Sequence, residues 1–452
     1  MGDLFGTDGI RGEANRFPMD SQTAFAVGQA LTHWLREQMG NGHRFSIVIG
    51  KDTRISGYML ESSLEAGITS MGGDSYLVGV LPTPGIALIT ESMRADAGIV
   101  ISASHNPFYD NGIKIFAGNG RKLSDAQEEE LAKLILSGNL SEVTPVATDM
   151  GRAYRIDDAR GRYIQFLKNA FPRDLTMEGM KIAVDVANGA TYRTAVGTLR
   201  ELGAELTVIH DEPNGLNINK ECGSQYTEDL EQLVIDTGSH LGLAFDGDGD
   251  RLIAVDERGQ RITGDQILAI CARQMKEEGR LRNDLLVTTV MSNFGLKVAC
   301  DNLGIRNHRT KVGDRYVLED MEKLDAVIGG EDSGHMIFCE HHGTGDGTLS
   351  ALQLIAVMRR TGRPLSELAK VMDVLPQELI NVDVTRKPPI EELPEVMAAI
   401  ADVEAKLGDT GRVLVRYSGT QNMCRVMVEG PTEDETRAYC QQVVDAVEKA
   451  LA

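Results

Sequence analysis

Three aspartates at alternate positions, Asp246, Asp248 and Asp250, are separated by Gly247 and Gly249. The glycines let the backbone curl until all three carboxylates meet one hard cation. Read as an EF-hand, the run places Glu257 at position 12, but Arg251 stands at position 6, where that loop requires glycine. Residues 252–255 then read as a strand. Mg²⁺, which takes few protein carboxylates together with phosphate oxygen, is the expected ion. Arg251 beside the triad falls within reach of a phosphate on that ion. A second centre is Ser104, in Gly98-Ile99-Val100-Ile101-Ser102-Ala103-Ser104-His105-Asn106-Pro107. An apolar run stops there at small and polar residues and a proline, as a buried strand does at a tight loop. Ligands of open α/β sheets bind at such strand ends. Ser104 is a nucleophile or group carrier there, with His105 beside it, or else a serine capping the next turn.

Other loops add charge. Arg11 lies between Gly9 and Gly12, Lys114 lies ten residues after Ser104, and Lys311-Val312-Gly313-Asp314-Arg315 is a further basic stretch. Singly these read as solvated surface charges. Beside a metal triad and a serine they read as electrostatic stabilisation for phosphoryl transfer. Glu331-Asp332-Ser333-Gly334-His335 offers acceptors for sugar hydroxyls and an imidazole suited to proton transfer. Near the C-terminus Arg416-Tyr417-Ser418-Gly419-Thr420-Gln421-Asn422, with Arg425, supplies amides, hydroxyls and charge for a phosphate cradle.

The elements that must hold these loops alternate. Residues 45–49, 98–101, 181–184, 241–245, 285–290 and 326–328 read as buried strands. Between them 22–38, 125–137, 191–202, 265–278 and 296–303 read as amphipathic helices, so mixed or parallel α/β sheets are expected. There is an internal repeat. Three times a strand ends in a polar loop that opens a helix, at 49–54, 184–189 and 290–295, and is followed by a strand ending in a chemically rich loop. Those second loops carry Ser104, the aspartate triad and Glu331–His335. The expected fold is three similar α/β domains at 1–152, 153–253 and 254–372, with a smaller α+β domain at 373–452, around a central cleft. In that last segment 379–384 and 412–416 read as strands and 433–451 as a helix.

The 452 residues carry 67 acidic against 46 basic side chains, a formal net charge of −21. Nucleic-acid binding needs a basic surface and is disfavoured. Six scattered cysteines with no Cys-x-x-Cys spacing argue against a disulfide framework and against a zinc site, and fit a reducing cytoplasm. The N-terminus shows no basic and apolar signal segment, and Gly6 stands where myristoylation wants Ser or Thr. No apolar run approaches the ~18 residues a bilayer span needs.

Taken in order, these motifs resemble the α-D-phosphohexomutase superfamily along the whole chain. Phe5-Gly6-Thr7-Asp8-Gly9-Ile10-Arg11-Gly12, Gly50-Lys51-Asp52-Thr53-Arg54-Ile55-Ser56-Gly57, the Ser104 loop with Tyr109-Asp110-Asn111-Gly112-Ile113-Lys114, and Pro213-Asn214-Gly215-Leu216-Asn217-Ile218-Asn219 resemble its glucosamine branch. The resemblance implies that Ser104, not Ser102, carries a phosphate. Ser104, Asp246, Asp248 and Asp250 would hold Mg²⁺. Arg11, Lys114 and Arg251 would surround the moving phosphate, and Glu331 and Ser333 would contact sugar hydroxyls. His335 would transfer a proton, while Arg416, Ser418, Gly419, Thr420 and Arg425 would clamp the other phosphate. It also implies interconversion of glucosamine 6-phosphate and glucosamine 1-phosphate through a sugar 1,6-bisphosphate, feeding UDP-N-acetylglucosamine and cell-wall precursor synthesis. The partner is then a hexosamine phosphate, with no nucleic acid and no membrane, and a homo-oligomer such as a dimer is allowed. The alternatives are a phosphohexomutase for mannose or glucose phosphates, a Mg²⁺-dependent phosphatase and a sugar-phosphate sensor. One departure is Gln421-Asn422, where the superfamily usually shows Glu-Pro after Ser-Gly-Thr.

Overall fold

The computed structural model describes residues 4–6, 8–40, 43–138, 140, 144–418 and 422–451. The chain divides into two compact units, Met1–Met291 with Arg306–Lys370, and Ser292–Ile305 with Val371–Ala452.

The first unit holds three sheets of one design. In the first, Ser46–Lys51 lies between parallel neighbours Asp74–Val80 and Ala97–Ile101, and Asp110–Ala117 returns antiparallel beside Ala97–Ile101. In the second, Lys181–Asp185 lies between Glu205–Ile209 and Leu241–Phe245, and Leu252–Asp256 returns antiparallel. In the third, Leu285–Thr289 lies between Arg306–Thr310 and Ile328–Gly330, and Met336–Phe338 returns antiparallel. The expected repeat is therefore a strand order, and in each copy the chemically rich loop joins the third strand to its antiparallel return. Central strands such as Ala97–Ile101 and Leu241–Phe245 are buried at every residue, which is why they read as unbroken apolar runs.

The expected boundaries at 153 and 254 fall on strands. Ala153–Arg155 pairs parallel with Asp74–Val80 and extends the first sheet, and Leu252–Asp256 belongs entirely to the second. Two stretches read as loops are strands: Ile10–Glu13, with Arg11, pairs antiparallel with Asp110–Ala117, with Lys114. The register opposes Arg11 to Gly112, so the strand pair, and not a free loop, carries the Arg11 and Lys114 backbones.

The second unit is a three-stranded antiparallel sheet with Met423–Glu429 between Gln377–Asp383 and Arg412–Tyr417. Val396 and Val403 of the helix Pro394–Leu407, and Val443 and Val447 of Glu433–Leu451, pack over one face against Val426 and Val428. The helix Phe294–Leu303 also belongs to this unit, where the Phe294 N–H donates to Glu429 Oε2 at 2.9 Å.

Candidate active site

Ser104 has φ 51°, a left-handed conformation rare for a non-glycine residue, and is 1% exposed. Three groups hold it there. The Ser104 N–H donates to Ser102 Oγ at 3.0 Å, and Ser102 Oγ donates to Asp52. Arg54 Nη2 donates to the Ser104 carbonyl at 3.2 Å and to that of Asn106 at 2.5 Å. Asn219 Nδ2 reaches the same two carbonyls at 2.8 and 2.9 Å. Arg54 is wholly buried and ion-paired with Asp52; burial pushes the Asp52 carboxyl up, against the Arg54 charge. The constrained backbone aims the two serines differently. Ser102 Oγ faces Asp52, whereas Ser104 Oγ donates to Asp246 Oδ2 at 2.6 Å.

Asp246, Asp248 and Asp250 are buried, and one carboxylate oxygen from each lies within 4.8 Å of the others. Both glycines are needed. A Cβ on Gly247 would stand 2.6 Å from the Ser104 carbonyl oxygen, and Gly249 has φ 74°. Thr83 Oγ1 and Lys114 Nζ donate to Asp248 Oδ2 at 2.7 and 3.0 Å. Asp248 Oδ1 and Asp250 Oδ1 are shielded from solvent with no hydrogen-bond partner among the described residues. Such oxygens are costly to bury unsatisfied. A hard divalent ion satisfies them, and the oxygen-only donor set with Ser104 Oγ beside it fits Mg²⁺. Burial, with the charges of Asp250 and Asp248, pushes Asp246 well above the carboxylate range. Burial opposes the charge on Asp250, but Lys114, His335 and Arg251 hold it well below.

Around the triad, oppositely charged groups alternate in a closed ring drawn from all three sheets. Lys114 Nζ lies 3.1 Å from Asp8 and 3.8 Å from Asp250. His335 Nδ1 lies 3.5 Å from Asp250, and its Nε2 lies 3.6 Å from Asp314. Lys122 closes the ring, 2.5 Å from both Asp314 and Asp8. Burial disfavours charge on His335, yet Asp250 and Asp314 hold it above its usual value. Arg11 pairs with Asp8, and its Nη1 reaches the Ala103 carbonyl at 3.4 Å. Arg251 Nε lies 3.8 Å from Asp250 and has no hydrogen-bond acceptor among the described residues. His105 Nδ1 is 3.4 Å from Ser104 Oγ, and burial with the charges of Arg251 and Arg11 lowers the imidazole to about 4.

The structure thus gathers Ser104, His105, Arg11, Lys114, Arg251, His335 and the three aspartates. A bridge between Arg251 and His335, and the Leu252 N–H to the Gly334 carbonyl at 3.0 Å, bring the third loop to the second. That places Glu331, whose Oε1 accepts from the Gly313 N–H at 3.1 Å, where its charge acts on Arg251; Ser333 is exposed. Of the basic stretch 311–315, the acid Asp314 joins the ring, while Arg315 turns to Asp125 and to Glu128 at 2.9 Å.

Arg416 and Arg425 oppose each other across two strands of the second unit, and burial with the Arg425 charge lowers Arg416. The buried Ser418 receives Lys387 Nζ on its carbonyl at 2.9 Å. Gly419, Thr420 and Gln421 lie outside the described residues, as does Thr7 of the N-terminal motif. Sequence reasoning missed roles for Asp8, Asp52, Arg54, Lys122, Asn219 and Asp314. Asp8, Asp52, Arg54 and Asn219 were already visible as polar residues within the glycine-bearing motifs.

Four descriptions of the phosphoglucomutase/phosphomannomutase family match: alpha/beta/alpha domain I at residues 2–141, domain II at 161–259, domain III at 263–375 and the C-terminal domain at 379–446. The phosphoglucosamine mutase of Syntrophobacter fumaroxidans is 67% identical over 451 residues, covering 100% of both chains. That of Syntrophus aciditrophicus is 59% identical over 451 residues with the same coverage. Among solved structures, a phosphoglucomutase/phosphomannomutase family protein from Burkholderia thailandensis has TM-score 0.82 at 23% identity, covering 99% of this chain and 97% of that one. Aspergillus fumigatus N-acetylphosphoglucosamine mutase, in complex with GlcNAc-6P and magnesium, has TM-score 0.70 at 17% identity, covering 99% and 96%.

Proposed function

Since the chain belongs to the phosphoglucosamine mutases of the phosphoglucomutase/phosphomannomutase family, which are isomerases, we propose that it interconverts glucosamine 6-phosphate and glucosamine 1-phosphate by way of a phosphorylated Ser104. The observation that carries this reading is Ser104 Oγ at 2.6 Å from Asp246, beside two carboxylate oxygens that lack donors. The Ser104 Oγ–P bond breaks as a sugar hydroxyl oxygen bonds to phosphorus and loses its proton. The bisphosphorylated sugar then returns its other phosphoryl group to Ser104. Asp246, Asp248, Asp250 and a Ser104 oxygen would hold Mg²⁺, which would supply charge neutralisation at the phosphoryl oxygens.

The residues divide the remaining work. Arg11 and Arg251 stand at the Ser104 and Asp250 loops, where a moving phosphate needs cations. Lys114 is ion-paired with Asp248 and Asp250 rather than standing open to substrate. His335, held toward its protonated form, is suited to giving a proton to an oxygen that leaves phosphorus; neutral His105 is suited to accepting one. Glu331 and Ser333 take sugar hydroxyls, and Arg416, Ser418, Gly419, Thr420 and Arg425 take the phosphate that stays. No helix among the described residues is long and apolar enough to cross a membrane, and a cytoplasmic site of action suits the six free cysteines. The product feeds UDP-N-acetylglucosamine and cell-wall precursor synthesis.

The test is incubation of the purified protein with glucosamine 6-phosphate, Mg²⁺ and a sugar 1,6-bisphosphate. Glucosamine 1-phosphate is expected, with a mass increment of one phosphate on Ser104. No product from wild type, or undiminished turnover in Ser104→Ala, rejects the reading. Relative kcat/KM on glucose and mannose phosphates ranks the sugars.

A further inference from the structure

The strand ends of the second sheet carry a separate group of metal-ligating side chains that phosphoryl transfer does not use. Asp185 closes the strand Lys181–Asp185, His210 follows the neighbouring Glu205–Ile209, and Cys222 lies in the connection beyond. A carboxylate oxygen, a ring nitrogen and the sulfur all lie within 4.8 Å of one another. Asp185 and Cys222 are 0% and 1% exposed. We propose that Asp185, His210 and Cys222 bind one thiophilic divalent cation of the zinc class, at a site separate from the aspartate triad.

The donor chemistry sets the class. Sulfur, imidazole nitrogen and one carboxylate oxygen suit a tetrahedral zinc-type ion with its fourth position open, whereas Mg²⁺ takes oxygen donors. The orientation of the ligands is a second observation. His210 Nδ1 is shielded from solvent and faces an Asp185 oxygen at 3.1 Å, an ion pair that favours a proton on the ring, so a cation would enter there by displacing that proton. His210 Nε2 lies 3.5 Å from the Asp229 carboxylate, an outer partner that would favour the proton on Nε2 once Nδ1 serves as the ligand. The backbone fixes Asp185 and the connection that carries Cys222. The Ala187 and Gly223 N–H groups donate to the two Asp185 oxygens at 2.8 and 2.7 Å, and the Asn219 N–H donates to the Ala187 carbonyl at 3.0 Å. Cys222 is buried beside Asp185, and a cation would bind its sulfur by displacing the thiol proton. Asn219, which donates to the Ser104 and Asn106 carbonyls, lies in the same connection, so a bound cation braces the segment on which the serine loop leans.

The absence of Cys-x-x-Cys spacing argued against zinc because it tests only for cysteine-rich sites. Here the fold assembles one cysteine, one histidine and one aspartate from three separate segments.

The experiment uses the full chain, reduced and stripped of metal, with saturating Mg²⁺ present to fill the triad. Co²⁺ is titrated in, and the near-ultraviolet thiolate-to-cobalt charge-transfer band is followed. One equivalent is expected to raise the band, and Zn²⁺ to abolish it by displacement. Cys222→Ser should remove it, and Cys339→Ser, at the exposed cysteine, should leave it intact. His210→Gln, at a ring about a quarter exposed and so tolerant of change, should weaken Co²⁺ binding about tenfold or more. No band in wild type, a band that survives Cys222→Ser or is lost in Cys339→Ser, or unchanged affinity in His210→Gln overturns the proposal.

Discussion

Lys114→Met keeps most of the bulk of the side chain and deletes one charge from among three carboxylates. Its Nζ lies 3.0, 3.1 and 3.8 Å from Asp248, Asp8 and Asp250, and the residue is 1% exposed. Burial disfavours the ammonium, but those three carboxylates hold Lys114 above its usual range. Without it Asp248 keeps only the Thr83 hydroxyl as a side-chain donor. Removing one partner of a buried pair costs about 3–5 kcal/mol. Unit charges about 4 Å apart at an effective dielectric of about 20 interact by about 4 kcal/mol, the same order. In chelator, denaturant unfolding of the variant should therefore show a loss of about 3–5 kcal/mol in the transition that responds to metal. Mg²⁺ replaces the missing positive charge, so it should recover most of that loss. Each 1.4 kcal/mol recovered corresponds to about tenfold tighter Mg²⁺ binding, read by calorimetric titration. A loss below about 1 kcal/mol in chelator, the scale of an exposed pair, would refute the argument. So would a Mg²⁺-induced gain no larger in the variant than in wild type.

Two further predictions concern other parts of the first unit. Asn219→Ala removes two donors to the serine loop, worth about 1 kcal/mol each, so kcat should fall while KM stays nearly unchanged. A change confined to KM would contradict it. Asp346 accepts from the Leu349 N–H and the Tyr163 hydroxyl, both at 2.9 Å, and burial raises its carboxyl to about 7. The unfolded value is about 3.9, so the folded protein binds the extra proton between the two. Its contribution is complete below about pH 4 and is lost as pH rises toward 7, with no further loss above. The melting temperature of Asp346→Asn relative to wild type should therefore rise across that window; a flat or falling difference rejects the assignment.

The core of each repeat was legible because its central strands are buried on both faces. Residues 98–101 and 241–245 admit no polar residue, and the chemistry begins where the apolar run stops. Among the strands that were missed, two carry charge into the site. Ile10–Glu13 holds Arg11, and Asp110–Ala117 holds Asn111 and Lys114, so both lose the apolar run that marks a strand. Asn111 and Lys114 are nonetheless buried, because each finds a partner across a domain or loop: Ser56 for Asn111, the aspartates for Lys114. Burial of a paired charge cannot be read from one segment alone, since the partner lies far away in sequence. Asp248, for instance, is 134 residues from Lys114.

The same reasoning separates the two serines on physical grounds. Ser102 and Ser104 are two residues apart in an extended-looking stretch, and composition treats them alike. The left-handed turn at Ser104 breaks the alternation, so one hydroxyl faces inward to Asp52 and the other faces the triad. That turn is held by Arg54 and Asn219, which come from different domains of the first unit and grip the same two carbonyls. A group carrier must present its oxygen at one place in two protonation and phosphorylation states. Two independent clamps on the backbone fix that position without touching the hydroxyl, leaving Ser104 Oγ to its contacts with Asp246 and His105.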